Sequence, residues 1–416
     1  MKRVVALVFV FVFLAYSSFA QNTKYEKLRI FAKVMAIIEH SYVDNVSEVK
    51  LINDAIKGMV SSLDPHSSYM TKSEYKELRI MTTGQFGGLG MVVTMKDGML
   101  TVVSPIEGTP AYKAGIKAKD IIIKINGEST IGMTLEQAVK KLRGKPGTKV
   151  RLTILREGAT KPIILDITRA IIHVKSVKYK KYGNIGYVKI TQFQEGTTRE
   201  LKKALNKLGN ISGLVLDLRN DPGGLLKEAV GVCDLFLKKG IIVSIRGRRK
   251  SDVQYFYAHN NGDEPTYPMV VLINAGTASA AEIVAGCLKD HRRAIIMGVR
   301  SFGKGSVQSI IPLGDGSALR LTTARYYTPN GNSIQAVGIE PDIIVHQAKI
   351  IPEREGVSIR ESNLIHHLNN PELRKLLEKN KKRGVNLQKE LRNDYQLLRA
   401  IELIKAEDII CKRKSG

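Results

Sequence analysis

Two alanine- and glycine-rich segments of this 416-residue chain carry side chains that could act together on a carbonyl group. The first is N-A-G-T-A-S-A-A-E, in which Ser279 follows the apolar run Met269–Ile273 and opens a helical pattern. A serine at such a strand–turn–helix junction can expose its hydroxyl, and the N–H of Ala280 at the helix start can face a developing oxyanion. Capping of the helix is the alternative role for this serine, and the segment taken alone favours capping.

The second segment, S-F-G-K-G-S-V-Q, places Lys304 between two glycines and beside the apolar residues Phe302 and Val307. Such a lysine can be approached closely by backbone and partly desolvated. Desolvation lowers the pKa of a lysine, and a neutral amine can then accept a serine's proton. Gln308, four residues further on, could hydrogen-bond the amine and orient it. A phosphate-binding loop is the rival interpretation, but G-x-x-x-x-G-K-[ST] is not met because glycine follows the lysine.

A third segment, D-L-R-N-D-P-G-G, follows the apolar run Leu214–Leu218, which predicts a buried strand. Paired glycines at the end of such a strand allow close backbone approach, so Gly223 or Gly224 could supply a second oxyanion donor. A tight turn without chemistry is the alternative. Taken together, the three segments provide a nucleophile, a base and two donors at strand ends of one layer, which acyl transfer requires.

The order of these three motifs resembles the carboxyl-terminal processing peptidases, or tail-specific proteases, from about residue 28 to residue 344. The resemblance implies an exported serine endopeptidase with a Ser/Lys catalytic pair that needs no metal or other cofactor. It implies Ser279 as the nucleophile, Lys304 as the general base and Gln308 as the residue that orients the lysine.

The same resemblance implies an oxyanion hole formed by Ala280 with Gly223 or Gly224, and the choice of glycine stays open. Asp290 falls where some relatives carry a supporting aspartate. Arg143, in L-R-G-K-P-G, matches an arginine that links the peptide-binding unit to the catalytic glutamine in relatives. An ordinary solvated arginine is the alternative for that position.

The β-rich region between residues 84 and 169 resembles a PDZ domain. F-G-G-L-G-M matches the carboxylate-binding loop of such domains, and S-P-I-E-G-T-P-A-Y-K-A-G with D-I-I-I-K-I-N-G matches the run that follows it. Successive N–H groups of Leu89, Gly90 and Met91 could form a nest for a C-terminal carboxylate while the bound peptide adds a strand to the sheet.

The predicted architecture is multidomain and of mixed α+β and α/β class. Short β-rich runs occupy the PDZ region, and a strand–helix alternation begins at Ile185, which favours a partly parallel sheet. The peptidase core is expected to be of the ClpP/crotonase-like type. The predicted segments are a signal peptide (1–20), a helical N-terminal segment (21–80), the PDZ domain (84–169), the peptidase core (170–345) and a basic, helical C-terminal tail (346–416).

The first twenty residues predict export. Lys2 and Arg3 precede an apolar run over residues 4–16 and a small-residue end at Ala20, which is the pattern of a cleavable secretory signal. The run is short for a bilayer span. We therefore expect a periplasmic or otherwise extracytoplasmic protein, with membrane association as a further option.

Composition limits the partners. Sixty-five lysines and arginines against 39 acidic residues give a formal net charge of +26, which suggests peripheral contact with a membrane or cell-wall polymer. Export argues against nucleic acid. Three cysteines cannot pair fully and the eight histidines form no H-E-x-x-H, which excludes a disulfide framework and a zincin.

Other partners follow from the motifs. The expected substrates are proteins with free, flexible C-termini, and an adaptor protein could deliver them. The helices predicted over residues 23–63 and 387–410 offer apolar faces that could form a homodimer or pack on the core. Three rival functions stay open: a catalytically inactive PDZ adaptor, a wall-polymer binder, and a Ser/His/Asp hydrolase that uses His291 beside Asp290.

Overall fold

The computed structural model describes residues 23–349, 351 and 391–414. The predicted signal peptide and the stretch 352–390 of the predicted tail lie outside these residues. The chain divides into two compact units. The first comprises the chain up to Tyr75 together with Gln308–Thr322, and the second comprises Lys76–Val307 and the chain from Thr323 onward.

The first unit begins with two helices, α1 (residues 23–41) and α2 (Glu48–Ser61), close to the predicted bounds. A short strand, β1 (Ser68–Met70), follows and pairs antiparallel with the first part of β18 (Ala318–Tyr327). Helix α2 packs on β1, so β1 is a packing partner for the apolar residues of α2. Strand β17 (Ser306–Pro312) pairs with β18. Among the described residues, no helix is both long and apolar enough to cross a bilayer.

Helix α3 (Lys72–Thr83) continues the chain into the second unit, where the PDZ domain forms around its own apolar core. Its main sheet has the order β3-β4-β5-β7-β8, with β6 added to β5, and all pairs are antiparallel. Strands β2 and β9 pair where the chain enters and leaves the domain. The elements are β2 (Gln85–Gly88), β3 (Met91–Lys96), β4 (Met99–Pro105), α4 (Pro110–Lys113), β5 (Ile121–Ile125), β6 (Glu128–Ser129), α5 (Leu135–Leu142), β7 (Lys149–Leu155), β8 (Ile163–Thr168) and β9 (Ala170–His173).

The peptidase core contains a six-stranded sheet of order β10-β11-β12-β15-β16-β19. Only the β10–β11 pair is antiparallel, so β11, β12, β15, β16 and β19 end at one edge of the sheet. The elements of this layer are β10 (Val177–Tyr182), β11 (Ile185–Ile190), α6 (Thr197–Leu208), β12 (Gly213–Asp217), α7 (Leu226–Asp234), β15 (Met269–Ile273), α8 (Ala280–Asp290), β16 (Ile295–Gly298) and β19 (Ile343–Ile344). The α/β alternation read from the sequence is confirmed.

Both faces of this sheet are covered, because neighbouring residues of its central strands are all buried. Leu214 and Leu216 of β12 join the core that contains α6, α7 and α8, whereas Val215 joins a second apolar cluster. That second cluster is completed by the last helix, α9 (Tyr395–Lys414), which packs on β12 and β15. The predicted C-terminal helix is therefore part of the peptidase core.

A second, smaller sheet borders this core. Strand β13 (Gly240–Arg246) pairs antiparallel with β14 (Val253–Ala258) and with the end of β18. Helices α7 and α8 pack on β13, so these helices lie between two β-layers. The sequence analysis did not assign these strands.

Candidate active site

Three loops carry the predicted chemistry, and each follows one of three neighbouring parallel strands. D-L-R-N-D-P-G-G follows β12, N-A-G-T-A-S follows β15, and S-F-G-K-G follows β16. Because parallel strands present their carboxyl ends at the same edge, the topology brings the three loops together. The prediction that the motifs share one layer is confirmed.

Ser279 occupies the turn between β15 and α8 with φ 54° and ψ −115°. An ordinary N-cap residue has an extended backbone, whereas a non-glycine residue with positive φ is strained and is kept only where its surroundings enforce it. The side chain is almost buried, at 8% exposure. Ser279 thus differs in backbone from an ordinary N-cap residue, although its N–H bonds the side chain of Glu282 as in a capping box.

Glu282, in the first turn of α8, connects the serine loop to the lysine loop. Its carboxylate is fully buried. Oε2 accepts the backbone N–H groups of Ser279 and Lys304, both at 2.8 Å. Since both nitrogens contact the same oxygen, they lie within two hydrogen-bond lengths of each other. The backbones of the predicted nucleophile and base thus lie close together, although the two residues are 25 positions apart in the chain.

The other oxygen of Glu282 secures the rest of the lysine loop. Oε1 accepts the hydroxyl of Ser301 at 2.5 Å and the N–H of Gly303 at 2.7 Å. The sequence analysis included Glu282 only as the last residue of the motif N-A-G-T-A-S-A-A-E and predicted no role for it. A glutamate three residues after a serine is also the pattern of an ordinary helix-capping pair, so the local sequence gave no specific sign of these contacts.

The lysine loop approaches other backbone closely, as its glycines predicted. A Cβ atom on Gly305 would collide with the backbone of Gln335. Lys304 is part-buried. Phe302 beside it is 62% exposed, and desolvation of the lysine by its apolar neighbours stays a prediction.

Gly223 is the glycine that lies against Ser279, the predicted nucleophile. Its φ is +91°, and a Cβ there would come within 2.6 Å of the Ala278 oxygen, 2.7 Å of the Ala280 nitrogen and 2.8 Å of the Ser279 Cβ. A Cβ on Gly224 would instead collide with the carbonyl of Phe193. The geometry therefore favours Gly223 as the partner of Ala280.

A buried ion-pair network holds the start of the same loop. The Arg219 guanidinium donates to both oxygens of Asp217, at 2.9 and 2.7 Å, and to both oxygens of Asp394, at 2.7 and 2.8 Å. The oxygen of Gln396 accepts a further bond at 3.0 Å. Burial lowers the pKa of Arg219, but the two carboxylates outweigh it and raise the pKa. Asp394 and Gln396 belong to the C-terminal segment, which the sequence analysis left without a role.

Gln308 belongs to the first unit, where it contacts Thr322, which in turn binds the segment D-P-H-S-S-Y (residues 64–69). Its Nε2 donates to the hydroxyl of Thr322 at 3.2 Å. The Thr322 hydroxyl in turn donates to Asp64 at 3.1 Å, and the Thr322 N–H donates to the hydroxyl of Ser67 at 3.0 Å. Orientation of the lysine by Gln308 stays a prediction.

The Ser/His/Asp alternative is wrong. His291 and Asp290 lie at the carboxyl end of α8, and Ser279 lies at its amino end. An 11-residue helix is about 16 Å long at 1.5 Å per residue. The His291 Nε2 lies 2.7 Å from the Ile241 oxygen, and Asp290 accepts the Asn330 N–H at 2.9 Å. Both side chains therefore serve the far end of the helix, and Asp290 does not support the candidate site.

The predicted carboxylate-binding loop of the PDZ domain borders a cavity of about 160 Å³ between β3 and α5. The carbonyls of Leu89 and Gly90 are fixed by the N–H groups of Ala111, at 2.7 Å, and Ile106, at 2.9 Å. The cavity is lined by Phe86, Gly88, Leu89, Gly90, Met91, Val93, Val139, Leu142 and Arg143. Apolar walls and a loop of this kind fit the last residue of a peptide, and the carboxylate nest stays a prediction.

Arg143 ends α5 at the border of this cavity and is not freely solvated. Its Nη1 donates to Glu77 at 2.9 Å, and its guanidinium stacks 4.6 Å from the centre of the Phe86 ring. The arginine therefore joins the peptide cavity to helix α3. Its regulatory role stays a prediction. Within residues 23–349 and 391–410, no three His, Cys, Asp or Glu side chains are grouped so as to hold a metal ion.

Comparisons with known proteins agree with this architecture. Family models match residues 184–345 (peptidase family S41), 101–156 (PDZ domain) and 14–74 (activating protease CtpB N-terminal domain). The chain is 47% identical over 396 residues to a carboxy-terminal-processing protease of Bartonella bacilliformis, and this alignment covers 93% of this chain and 90% of the relative. A solved photosystem II D1 C-terminal processing protease is 31% identical, with a TM-score of 0.45, over 76% of this chain and 92% of that one. The chain belongs to the carboxy-terminal-processing proteases of peptidase family S41, which are serine proteases, and it carries a PDZ domain.

Proposed function

We propose that this chain is an exported endopeptidase that binds the C-terminal tail of a protein at its PDZ domain and cleaves peptide bonds with a Ser279–Lys304 dyad. The observation that carries the proposal is the shared contact at Glu282, whose Oε2 accepts the N–H groups of both residues at 2.8 Å. A nucleophile and a base need such a common support, because their reacting atoms must meet in a fixed geometry.

In the proposed reaction, the Ser279 hydroxyl attacks a substrate carbonyl and the neutral Lys304 amine takes its proton. The N–H groups of Ala280 and Gly223 stabilise the oxyanion that forms. Collapse of this intermediate breaks the C–N bond, and Lys304 returns the proton to the leaving amine. Water then attacks the serine ester with Lys304 again as the base, which releases the acid and restores the Ser279 hydroxyl.

The tail would dock by strand addition to β3, with its terminal carboxylate on the loop Leu89–Met91 and an apolar last residue in the cavity beside Val139 and Leu142. This mode explains why a free C-terminus would be required, since the N–H nest recognises a negative charge. Amidation of the substrate's C-terminus should therefore raise KM and leave kcat less changed.

The central experiment compares wild type, Ser279→Ala and Lys304→Ala on one model protein that ends in a flexible apolar tail, with product masses measured. Both variants should lose several orders of magnitude in kcat, as removal of one member of a catalytic unit does. His291→Ala is the matched control and should retain activity. Near-normal cleavage by either dyad variant would refute the dyad assignment, whereas a lack of cleavage by the wild type would favour the catalytically inactive PDZ adaptor.

Export to the periplasm, delivery of substrates by an adaptor, homodimer formation and peripheral membrane or cell-wall association are further proposals. The basic and apolar start of the chain and its net charge of +26 support the first and the last of them. Cell fractionation with N-terminal mass analysis of the mature protein tests export. Retention in the cytoplasm with an intact Met1 would refute it.

A further inference from the structure

Asp221 is a fully buried residue of the D-L-R-N-D-P-G-G loop that the proposed mechanism does not use. Its Oδ1 accepts the N–H of Gly223 at 2.8 Å, and its backbone oxygen accepts the N–H of Ala278 at 2.9 Å. Within the part of the chain that the structure describes, no partner reaches its Oδ2. The residue thus joins the glycine loop to the serine loop and keeps one oxygen unpaired.

The bond to Gly223 concerns a group that the proposed mechanism needs. Gly223 lies against Ser279 and Ala280, so near that a Cβ on it would come within 2.8 Å of the Ser279 Cβ. Its N–H is the second donor to the oxyanion in the proposed reaction. In the structure, this N–H donates its hydrogen bond to Asp221 Oδ1.

We propose that Asp221 is a positioning residue of the oxyanion hole, and that its side chain must be neutral for Gly223 to release its N–H to the oxyanion. The inference rests on the proposed function, because it assumes the acyl-transfer role of Ser279. It adds a control on that site which neither the dyad nor the PDZ domain supplies.

Two effects of charge act in the same direction. A carboxylate accepts an N–H more strongly than a neutral carboxyl does, so an ionised Asp221 would compete with the oxyanion for Gly223. A negative charge beside the nucleophile would also repel the negative charge that develops on the substrate oxygen, and the low dielectric of a buried site strengthens this repulsion.

The surroundings of Asp221 keep it neutral up to mildly alkaline pH. Burial raises its pKa to about 8; the Gly223 N–H and the charge of Lys189 act against this rise, whereas the charge of Asp217 adds to it. Lys189 itself lies 3.6 Å from Asp217, which reduces what it can do for Asp221. The neighbouring loops also carry Glu282, whose charge is bound by four donors, and Lys304, which must lose a proton to act.

The expected consequence is a bell-shaped profile of kcat against pH. Activity rises as Lys304 becomes neutral and falls as Asp221 becomes charged. Above pH about 8, kcat should decrease on the order of tenfold for each pH unit, as expected for one ionisation. Asp221→Asn keeps an oxygen for the Gly223 N–H but cannot ionise, so this variant should be active at pH 7 and should lack the alkaline fall.

The experiment measures kcat and KM from pH 6 to 10 for wild type, Asp221→Asn and the control Asp290→Asn at the far end of α8. Loss of the alkaline fall in Asp221→Asn alone, within kcat and not KM, is the expected result. An alkaline fall with an unchanged midpoint in Asp221→Asn would overturn the inference. If that outcome were found while Ser279→Ala and Lys304→Ala were inactive, the proposed function would stand and only the role of Asp221 would fail. The two failures are therefore distinguishable.

A second measurement does not depend on activity. In the Ser279→Ala background, which prevents self-cleavage, infrared difference spectra against Ser279→Ala/Asp221→Asn should show a buried carboxylic acid band at pH 7. This band should disappear as the pH rises through about 8. A carboxylate band at pH 7 would overturn the inference even if the activity profiles were altered by misfolding.

Discussion

Replacing Glu282 with glutamine tests the proposed support of the site most directly. The carboxylate accepts four hydrogen bonds, two at each oxygen, from Ser279, Ser301, Gly303 and Lys304. Glutamine keeps one acceptor oxygen and places an NH₂ group where the other was. Whichever way the amide turns, two buried donors lose their acceptor and face another donor.

The size of the effect follows from these contacts. Each buried donor left without a partner costs about 1–3 kcal/mol, so Glu282→Gln should lower the free energy of unfolding by about 2–6 kcal/mol. Activity should suffer more than stability suggests, because the turns that present Ser279 and Lys304 share this carboxylate. A displacement of about 1 Å between reacting groups can cost on the order of 100-fold in rate.

Glu228→Gln provides a matched control, since Glu228 also binds backbone and hydroxyl donors, those of Gly196 and Thr198 at the start of α6. Urea unfolding, in a Ser279→Ala background, and kcat on the tailed substrate are measured for both variants. We expect both variants to lose stability, Glu228→Gln the less because Glu228 is part-buried and accepts three bonds, and kcat to fall only in Glu282→Gln. Equal kcat values in the two variants would show that Glu282 acts as an ordinary buried carboxylate.

Three further variants test other parts of the site. Gly223→Ala should lose most activity while it remains folded by circular dichroism, because φ is +91° and its Cβ would contact the turn at Ser279; wild-type kcat would contradict this. Asp394→Asn removes one of the two carboxylate charges that pair with Arg219 and should lower both stability and kcat, with full activity as the contrary result. Asp64 is partly buried, which raises its pKa, but hydrogen bonds from Ser67 and its neighbours lower the pKa to about 2. The lowered pKa contributes about 1–2 kcal/mol to the free energy of unfolding above pH 4, and this contribution is lost as the pH falls to 2. Asp64→Asn should therefore make the free energy of unfolding less dependent on pH between 4 and 2, and an unchanged dependence would refute this.

The sequence was sufficient to locate the loops of the candidate site, although the choice between Gly223 and Gly224 needed the structure. Ser279 and Gly223 stand in turns that follow strongly apolar strands, and such strands reveal both the buried sheet and its loops. The parallel order of those strands then places the loops at one edge. Backbone strain at Ser279 could not be read from the sequence, because serine is also the commonest kind of helix cap.

Residues that act through distant partners were missed for a different reason. Asp394 contacts Arg219 across 175 positions of the chain, and nothing in the local pattern of either residue reveals the other. The tail was predicted to be basic from its composition and helical at its end from the spacing of its apolar residues. Leu398, Ile401 and Ile404 of helix α9 belong to the second apolar cluster. Which surface this apolar stripe covers becomes clear only from the sheet on which it packs.

The buried acids of the site also bear on the proton transfer that the dyad requires. A nearby carboxylate stabilises the charged form of a lysine and so raises its pKa, which would weaken Lys304 as a base. Glu282 distributes its charge over four donors, which include the backbone of the lysine loop itself. Burial keeps Asp221 neutral near pH 7. The N–H donors of three loops are thus ordered by two buried carboxyl groups, one bound by four donors and the other neutral near pH 7.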